Sequence, residues 1–99
     1  MLTGNDIYRR RTALRRTQNA LATSVHVSAG HISNLENKQA DLNRDLAVRT
    51  ELVLRDWEGN VPTKEAAAYE IGRLIERLNR KKVAEALIFI ELLVEEGND

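Results

Sequence analysis

The apolar residues of this chain recur at intervals of three and four, and no stretch of useful length alternates apolar with polar residues. Intervals of three and four place side chains on one face of an α-helix, whereas alternation is typical of a half-buried strand. No Asn-Gly or Asp-Gly pair separates two β-branched runs to signal a hairpin. The sequence therefore predicts an all-α protein, and its 99 residues suit one domain or a small domain with an appendage.

Residues that favour helix starts divide the first part of the chain. Thr3, followed three residues later by Asp6, resembles a capping box, and Ser28 is a good N-cap. The predicted helices cover about residues 4–14, a stretch from 17 or 18, a stretch from 28, and one long or two short helices within 41–57.

Gly, Asn and the single Pro cluster only at residues 59–62, which predicts a linker between a domain over 1–58 and a two-helix segment over 63–99. Thr63 is the expected N-cap of the first of these helices, and Asn79 caps a second helix over 81–96. The last helix is apolar on nearly every side, so it requires burial, and a second subunit is the simplest cover. The predicted dimerisation residues are Ile71, Ile75, Leu78, Leu87, Phe89, Ile90, Leu93 and Val94.

Composition excludes several classes of protein. Without cysteine there is no disulfide, thiolate metal site or cysteine nucleophile, and a reducing, cytoplasmic setting is expected. His26 and His31 alone cannot complete a tetrahedral zinc site. No apolar run approaches the roughly 20 residues of a membrane span. No glycine-rich phosphate loop or Ser-His-Asp set is present, so we expect neither an enzyme nor a cofactor.

The net charge of zero hides an uneven distribution. Residues 1–40 hold six basic and two acidic residues, a balance of +4, whereas residues 41–99 hold nine basic and thirteen acidic residues, a balance of −4. We expect the two halves to face different partners.

Residues 17–37 combine two short helical stretches with a tight turn. The apolar residues Leu21, Val25, Val27, Ile32 and Leu35 are spaced to hold two helices at a steep angle, which is helix-turn-helix geometry. The opposite face of the second helix carries small or polar residues suited to a DNA major groove: Ser28, Ala29, Gly30, Ser33, Asn34 and Asn37.

This segment resembles the Xre/Cro/lambda-repressor-like helix-turn-helix family. The matching elements are Thr17-Gln18, Leu21-Ala22, Val25-His26-Val27-Ser28, Ile32-Ser33 and Leu35-Glu36-Asn37. The resemblance covers about residues 5–57 and implies a five-helix, sequence-specific DNA-binding domain of phage and bacterial regulators that act as dimers.

The resemblance also implies roles for particular residues. Gln18 corresponds to a glutamine that contacts phosphate and bases, Ser28 to the cap of the recognition helix, and Arg11 with Glu36 to a buried ion pair. The base-reading positions correspond to Ala29, Gly30, Ser33 and Asn34. Here His26 stands at a turn position that the family fills with glycine, and Arg15-Arg16 stand where its first helix ends with glycine and an apolar residue.

Chemistry supports some of these roles directly. Asn34 is suited to bidentate recognition of adenine, and Ala29 to contact with a thymine methyl group. Gly30 either permits close approach to the duplex or is a tolerated weak point in its helix. The candidate phosphate contacts are Gln18, Ser28, Arg15, Arg16 and Lys38. We expect Arg15 and Arg16 either to lengthen the first helix or to point at the DNA backbone.

The first hypothesis is a transcriptional repressor of phage or mobile-element origin, located in the bacterial cytoplasm at the nucleoid. It binds a two-fold-symmetric double-stranded DNA operator as a homodimer. A second hypothesis is an autoregulatory DNA-binding antitoxin whose C-terminal helix binds another protein. A third is a helical adaptor that binds a partner protein and no longer contacts DNA.

Overall fold

A computed structural model describes residues 1–97, and within that range the chain contains six α-helices and no strand. The helices are α1 (Gly4–Ala13), α2 (Gln18–Val25), α3 (Ala29–Glu36), α4 (Arg44–Trp57), α5 (Lys64–Ile75) and α6 (Arg80–Glu96). The prediction of an all-α protein is confirmed. The chain forms two compact units, one over Met1–Val61 with α1 to α4 and one that begins at Pro62 with α5 and α6.

All six helices begin at a polar N-cap whose side chain accepts a hydrogen bond from the amide three residues later. The six N-caps are Thr3, Thr17, Ser28, Asn43, Thr63 and Asn79. At α1 the carboxylate of Asp6 also accepts from the Thr3 amide at 2.9 Å, which completes the capping box. These short-range bonds explain why helix starts were predictable from the sequence.

The four helices of the first unit share one type of C-terminal end. Each is followed by a residue with left-handed backbone: Arg15 (φ 56°), His26 (φ 62°), Lys38 (φ 60°) and Gly59 (φ 71°). The amide of the next residue then donates to the carbonyl five positions earlier, at 2.8–3.1 Å, as in a Schellman motif. The prediction that Arg15 and Arg16 lengthen the first helix is wrong, because α1 ends at Ala13 and the chain reverses at Arg15.

One apolar core holds the first unit together. It is formed by Ile7, Leu21, Ala22, Val25, Ile32, Leu35 and Leu46. The first turn of α1 lies directly on the end of α3, since a Cβ atom added at Gly4 would stand 1.9 Å from the carbonyl oxygen of Leu35. Glycine at position 4 is what allows these two backbones to meet.

The sequence predicts either one long helix or two short helices within residues 41–57, and the structure has one helix, α4. The family resemblance implies five helices over about residues 5–57, whereas the first unit has four. Residues 37–43 form turns and extended chain, and α4 then runs for 14 residues without a break. The four-helix count is therefore a departure from the pattern that the resemblance implies.

Neither helix of the second unit has a buried residue. The expectation that the last helix is buried is not met within one chain, where large apolar side chains of α6 are exposed. None of the helices in residues 1–97 combines the length and apolar character needed to cross a bilayer.

Candidate nucleic-acid interface

The turn between α2 and α3 is fixed by backbone geometry. His26 adopts φ 62° and ψ 44°, a left-handed conformation, at the turn position that the resembled family fills with glycine. The amide of Val27 donates to the carbonyl of Ala22 at 3.0 Å, and Ser28 Oγ accepts from the His31 amide at 3.0 Å. A backbone carbonyl at the end of α2 and a backbone amide at the start of α3 thereby have hydrogen-bond partners. The two helices pack against each other through the shared core.

α4 supports this turn from outside the helix pair. Arg49 Nη1 donates to the carbonyl oxygen of Val25 at 2.6 Å, in a part-buried position. This bond satisfies a carbonyl in the last turn of α2. It joins residues 24 positions apart, so no local sequence pattern could have identified it.

The outer face of α3 differs in accessibility along its length. Ser28, Gly30, Asn34 and Asn37 are exposed, and Ser33 is half-buried. The Nδ2 atom of Asn37 lies 3.4 Å from Ser33 Oγ, one turn earlier. The remaining candidate, Ala29, is half-buried and packs against the apolar core. Ala29 is therefore less available to DNA than the other candidates on α3.

Gly30 is not required by the packing of the chain itself. A Cβ atom added there would meet only Ser28 Oγ, at 3.9 Å, which is an ordinary van der Waals distance. Gly30 is the second residue of α3, and glycine in a helix costs up to about 1 kcal/mol relative to alanine, the full cost applying to interior positions. Nothing within the described residues offsets that cost.

Arg11 and Glu36 form a buried ion pair that joins α1 to the end of α3. Arg11 Nε and Nη2 donate to the two oxygens of Glu36, both at 2.8 Å, and Nη1 donates to the carbonyl of Arg16 at 2.8 Å. The side chains of Arg11 and Glu36 are only 10% and 4% exposed. This bidentate geometry is the strong form of an arginine–carboxylate contact.

Gln18 belongs to the same network. Its Nε2 atom donates to Glu36 Oε1 at 3.0 Å, and the residue is half-buried at the first position of α2. Burial acts to raise the pKa of Glu36, but hydrogen bonds from Arg11 and Gln18, with the charge of Arg11, outweigh it and lower that pKa. The sequence suggested Gln18 as a DNA contact, and in the chain alone one of its amide hydrogens is already held by Glu36.

These contacts gather several candidates at the C-terminal end of α3. The start of α2 with Gln18, the carbonyl of Arg16, and Glu36 all surround the Arg11 guanidinium, and Asn37 and Lys38 follow Glu36 directly. Ser28 and His26 lie at the other end of α3. The helix between them has eight residues, about 12 Å of axial length.

The run Arg9-Arg10-Arg11 is engaged within the first unit. Arg9 pairs with Asp6 at 2.6 Å, and Arg10 pairs with Glu58 at 2.6 Å and with Glu51. With Arg11 bound to Glu36, all three arginines have carboxylate partners. The positive charge of this run is therefore largely neutralised within the protein.

Three basic residues that follow α1 and α3 are differently placed. Arg15, Arg16 and Lys38 are exposed and form no ion pair among residues 1–97. The guanidinium of Arg16 stacks over the Trp57 ring at 4.7 Å, a cation–π contact that orients it. Over residues 1–61 the charge is +2, from nine basic and seven acidic residues. His26, which was considered only as a turn residue, joins this set because it is exposed beside Ser28.

Comparison of the chain with protein-family models, with curated proteins and with solved structures gives no match. What the chain does is therefore inferred from its own residues, above all from α3 and its two ends.

Proposed function

We propose that this protein is a sequence-specific DNA-binding transcriptional regulator of the lambda-repressor-like helix-turn-helix type, which inserts α3 into the major groove. The observation that carries the proposal is the two-sided character of α3. Ile32 and Leu35 hold one side in the core, while Ser28, Gly30 and Asn34 leave a polar, low-profile surface on the other. A helix of this kind suits the roughly 12 Å width of the groove.

Asn34 is the side chain best suited to read a base. It is exposed in the last half of α3, and a carboxamide matches the N6 donor and N7 acceptor of adenine. Gly30 lies one turn earlier, where the absence of a side chain allows the α3 backbone to approach the duplex closely. In this arrangement Asn34 supplies a directional contact to a base, and Gly30 allows close approach of the helix backbone to the DNA.

The basic residues at the helix ends support contact with the DNA backbone. Three non-glycine residues in 1–97 have left-handed backbone, and two of them, Arg15 and Lys38, are cations; the third is His26. That conformation costs such residues roughly 1–2 kcal/mol, whereas a cation at an exposed helix C-terminus typically gains about 0.3–1 kcal/mol from the macrodipole. Since the cost exceeds this gain, the helix dipole alone does not account for basic residues at these positions, which supports phosphate binding.

The second unit supports action as a homodimer. Large apolar residues of α5 and α6, among them Ile71, Leu78, Leu87, Phe89 and Val94, are exposed in the single chain. Exposed apolar surface on this scale is typical of an interface. Two copies joined there would read half-sites about 34 Å apart on a two-fold-symmetric operator, as expected for a repressor of phage or mobile-element origin.

The decisive experiment selects bound sequences from a random duplex pool and then measures affinity for the selected operator. Asn34→Ala should weaken binding by about 5- to 150-fold, equivalent to roughly 1–3 kcal/mol, and relax specificity at one base pair. Asn5→Ala, an exposed asparagine on α1, is the matched control and should bind like wild type. Equal affinity of the Asn34 variant and wild type would remove Asn34 from the interface.

Failure to enrich any sequence, with no binding at low salt, would contradict DNA binding itself and favour the adaptor hypothesis. The antitoxin hypothesis makes a different prediction, a chain that stays unpaired and aggregates unless it is co-expressed with a partner protein.

A further inference from the structure

The charges of α6 run in the opposite direction to those of the other charged helices. α1, α4 and α5 each have an acidic residue in the first turn and a basic residue in the last. α6 has neither, because Arg80, Lys81 and Lys82 begin it and Glu95 and Glu96 end it. Cations at the N-terminus and anions at the C-terminus oppose the helix macrodipole. α6 is thus poorly suited to stand alone in water.

One stripe of α6 combines this charge order with an apolar centre. Lys81, Glu85, Ile88, Leu92 and Glu95 follow one another at intervals of four and three, so they share a face of the helix. Ile88 and Leu92 are 58% and 51% exposed, and Phe89 beside them is 54% exposed. Glu85 pairs with Lys82 at 3.2 Å within the helix. With Glu85 already paired to Lys82, the charges of the stripe that remain unpaired among residues 1–97 are basic at Lys81 and acidic at Glu95, with Ile88 and Leu92 between them.

We propose that two copies of this chain pair through this stripe of α6 in antiparallel orientation. The inference rests on the homodimer in the proposed function, but it assigns the seam to Ile88 and Leu92 of α6, with Phe89 beside them, and not to Leu87, Ile90 and Val94. A two-fold axis at Ile88 sets Ile88 of one copy against Ile88 of the other, and Leu92 of each copy beside Ala84 of the other. It also sets Lys81 of each copy beside Glu95 of the second copy, at both ends of the seam.

A second copy is the occupant that the charges favour. In a two-fold interface the same patch meets itself, so the patch must be self-complementary. The basic and acidic ends of the stripe are 14 residues apart, about 21 Å along the axis, and antiparallel pairing matches them at both ends. Parallel pairing would instead place Lys81 against Lys81 and Glu95 against Glu95, which is repulsive.

Antiparallel pairing also offsets the unfavourable interaction between the end charges of each α6 and its macrodipole. The acidic end of one α6 lies beside the N-terminal end of the other, where the partial charge of the helix is positive. The inverted charge order is unfavourable in one chain and favourable in the pair.

Charge reversal of the full-length chain tests the proposal by sedimentation equilibrium without DNA. Lys81→Glu/Lys82→Glu and, separately, Glu95→Lys/Glu96→Lys should each weaken the dimer roughly 10- to 100-fold. The quadruple variant should return to within a few fold of wild type, because opposite charges face each other again. Each reversal brings the ends of α6 into line with the macrodipole, but Lys82→Glu also removes the ion pair with Glu85, so the helix content of each variant is measured by circular dichroism beside its dimer affinity.

Lys64→Glu/Arg77→Glu makes the same change of net charge as Lys81→Glu/Lys82→Glu, but outside α6, and should leave the dimer unchanged. A second readout is salt, which should weaken the wild-type dimer and strengthen the two double variants. The proposal is overturned if wild type stays monomeric, if the reversals leave the dimer intact, or if the quadruple variant remains as weak as the doubles. A dimer that follows the predicted pattern but binds no DNA would refute only the proposed function, and a monomer that binds a half-site would refute only the pairing.

Discussion

Replacement of Lys38 by glycine should make the protein more stable and its binding to DNA weaker. Lys38 follows α3 with φ 60°, a conformation that costs a residue with a Cβ atom roughly 1–2 kcal/mol. Glycine avoids that cost but adds about 0.5–1 kcal/mol of chain entropy to the unfolded state. The difference predicts a net gain of about 0.5–1 kcal/mol for Lys38→Gly.

Trp57 provides the assay. It is the only tryptophan and packs against the core of the first unit, so its fluorescence during urea unfolding reports on that unit. A salt concentration of about 0.5 M screens the lost interaction between Lys38 and the helix dipole. In a thermal scan the same gain corresponds to a rise of roughly 2–8 °C in Tm.

The reciprocal variant is Gly59→Lys. Gly59 occupies the same position after α4 with φ 71°, and nothing lies within 4 Å of a Cβ atom placed there. The substitution therefore tests backbone conformation alone and should cost about 0.5–1 kcal/mol, the reverse of Lys38→Gly. No stability change in either variant would refute the reasoning.

Lys38→Gly should lower the affinity for DNA, although it raises the stability of the fold. Loss of one phosphate contact should lower affinity and reduce the slope of log K against log salt by about 0.9. A stabilised variant with unchanged affinity and slope would show that Lys38 does not contact DNA.

Two further predictions concern α3. The pKa of Glu36 is lowered on folding, so its ion pair with Arg11 stabilises the protein above the ordinary glutamate pKa of about 4.3, and that stability is lost as pH falls through the lower folded value. Glu36→Gln should therefore be less stable than wild type at pH 7, with a difference in urea midpoint that shrinks below about pH 4; a constant difference down to pH 3 would contradict this assignment. Gly30→Ala should stabilise the protein by up to about 1 kcal/mol, since the added Cβ atom fits, yet weaken operator binding by blocking close approach. Unchanged operator affinity in a gel-shift titration would identify Gly30 as a tolerated weak point in α3.

The parts of the fold that were predictable depend on neighbours in sequence. Thr3, Ser28 and Asn79 cap their helices through bonds to amides three residues away, so the relevant residues lie side by side in the chain. The turn at His26 was predictable from the family resemblance, which also rests on residues that are neighbours in the chain.

Long-range contacts explain what the sequence did not reveal. Arg10 pairs with Glu58 across 48 positions, and no periodicity links the two. The left-handed backbone at Arg15 and Lys38 could not be predicted, because glycine, the usual sequence signal for that conformation, is absent from both positions. The half-buried position of Ala29 depends on how α3 rotates against the core, which shifts one candidate contact away from the groove.

Because α4 holds α1 through Arg10 and the end of α2 through Arg49, the support of α2 and α3 is synthesised after them. The ribosome completes Glu36 about 22 residues before Glu58, an interval of roughly 1–4 s at ordinary rates of elongation. During that time α3 exists without the contacts that α4 supplies. A chain that stops before α4 therefore lacks the bond from Arg49 to Val25 and the carboxylate partners of Arg10, and keeps only the contacts among α1, α2 and α3.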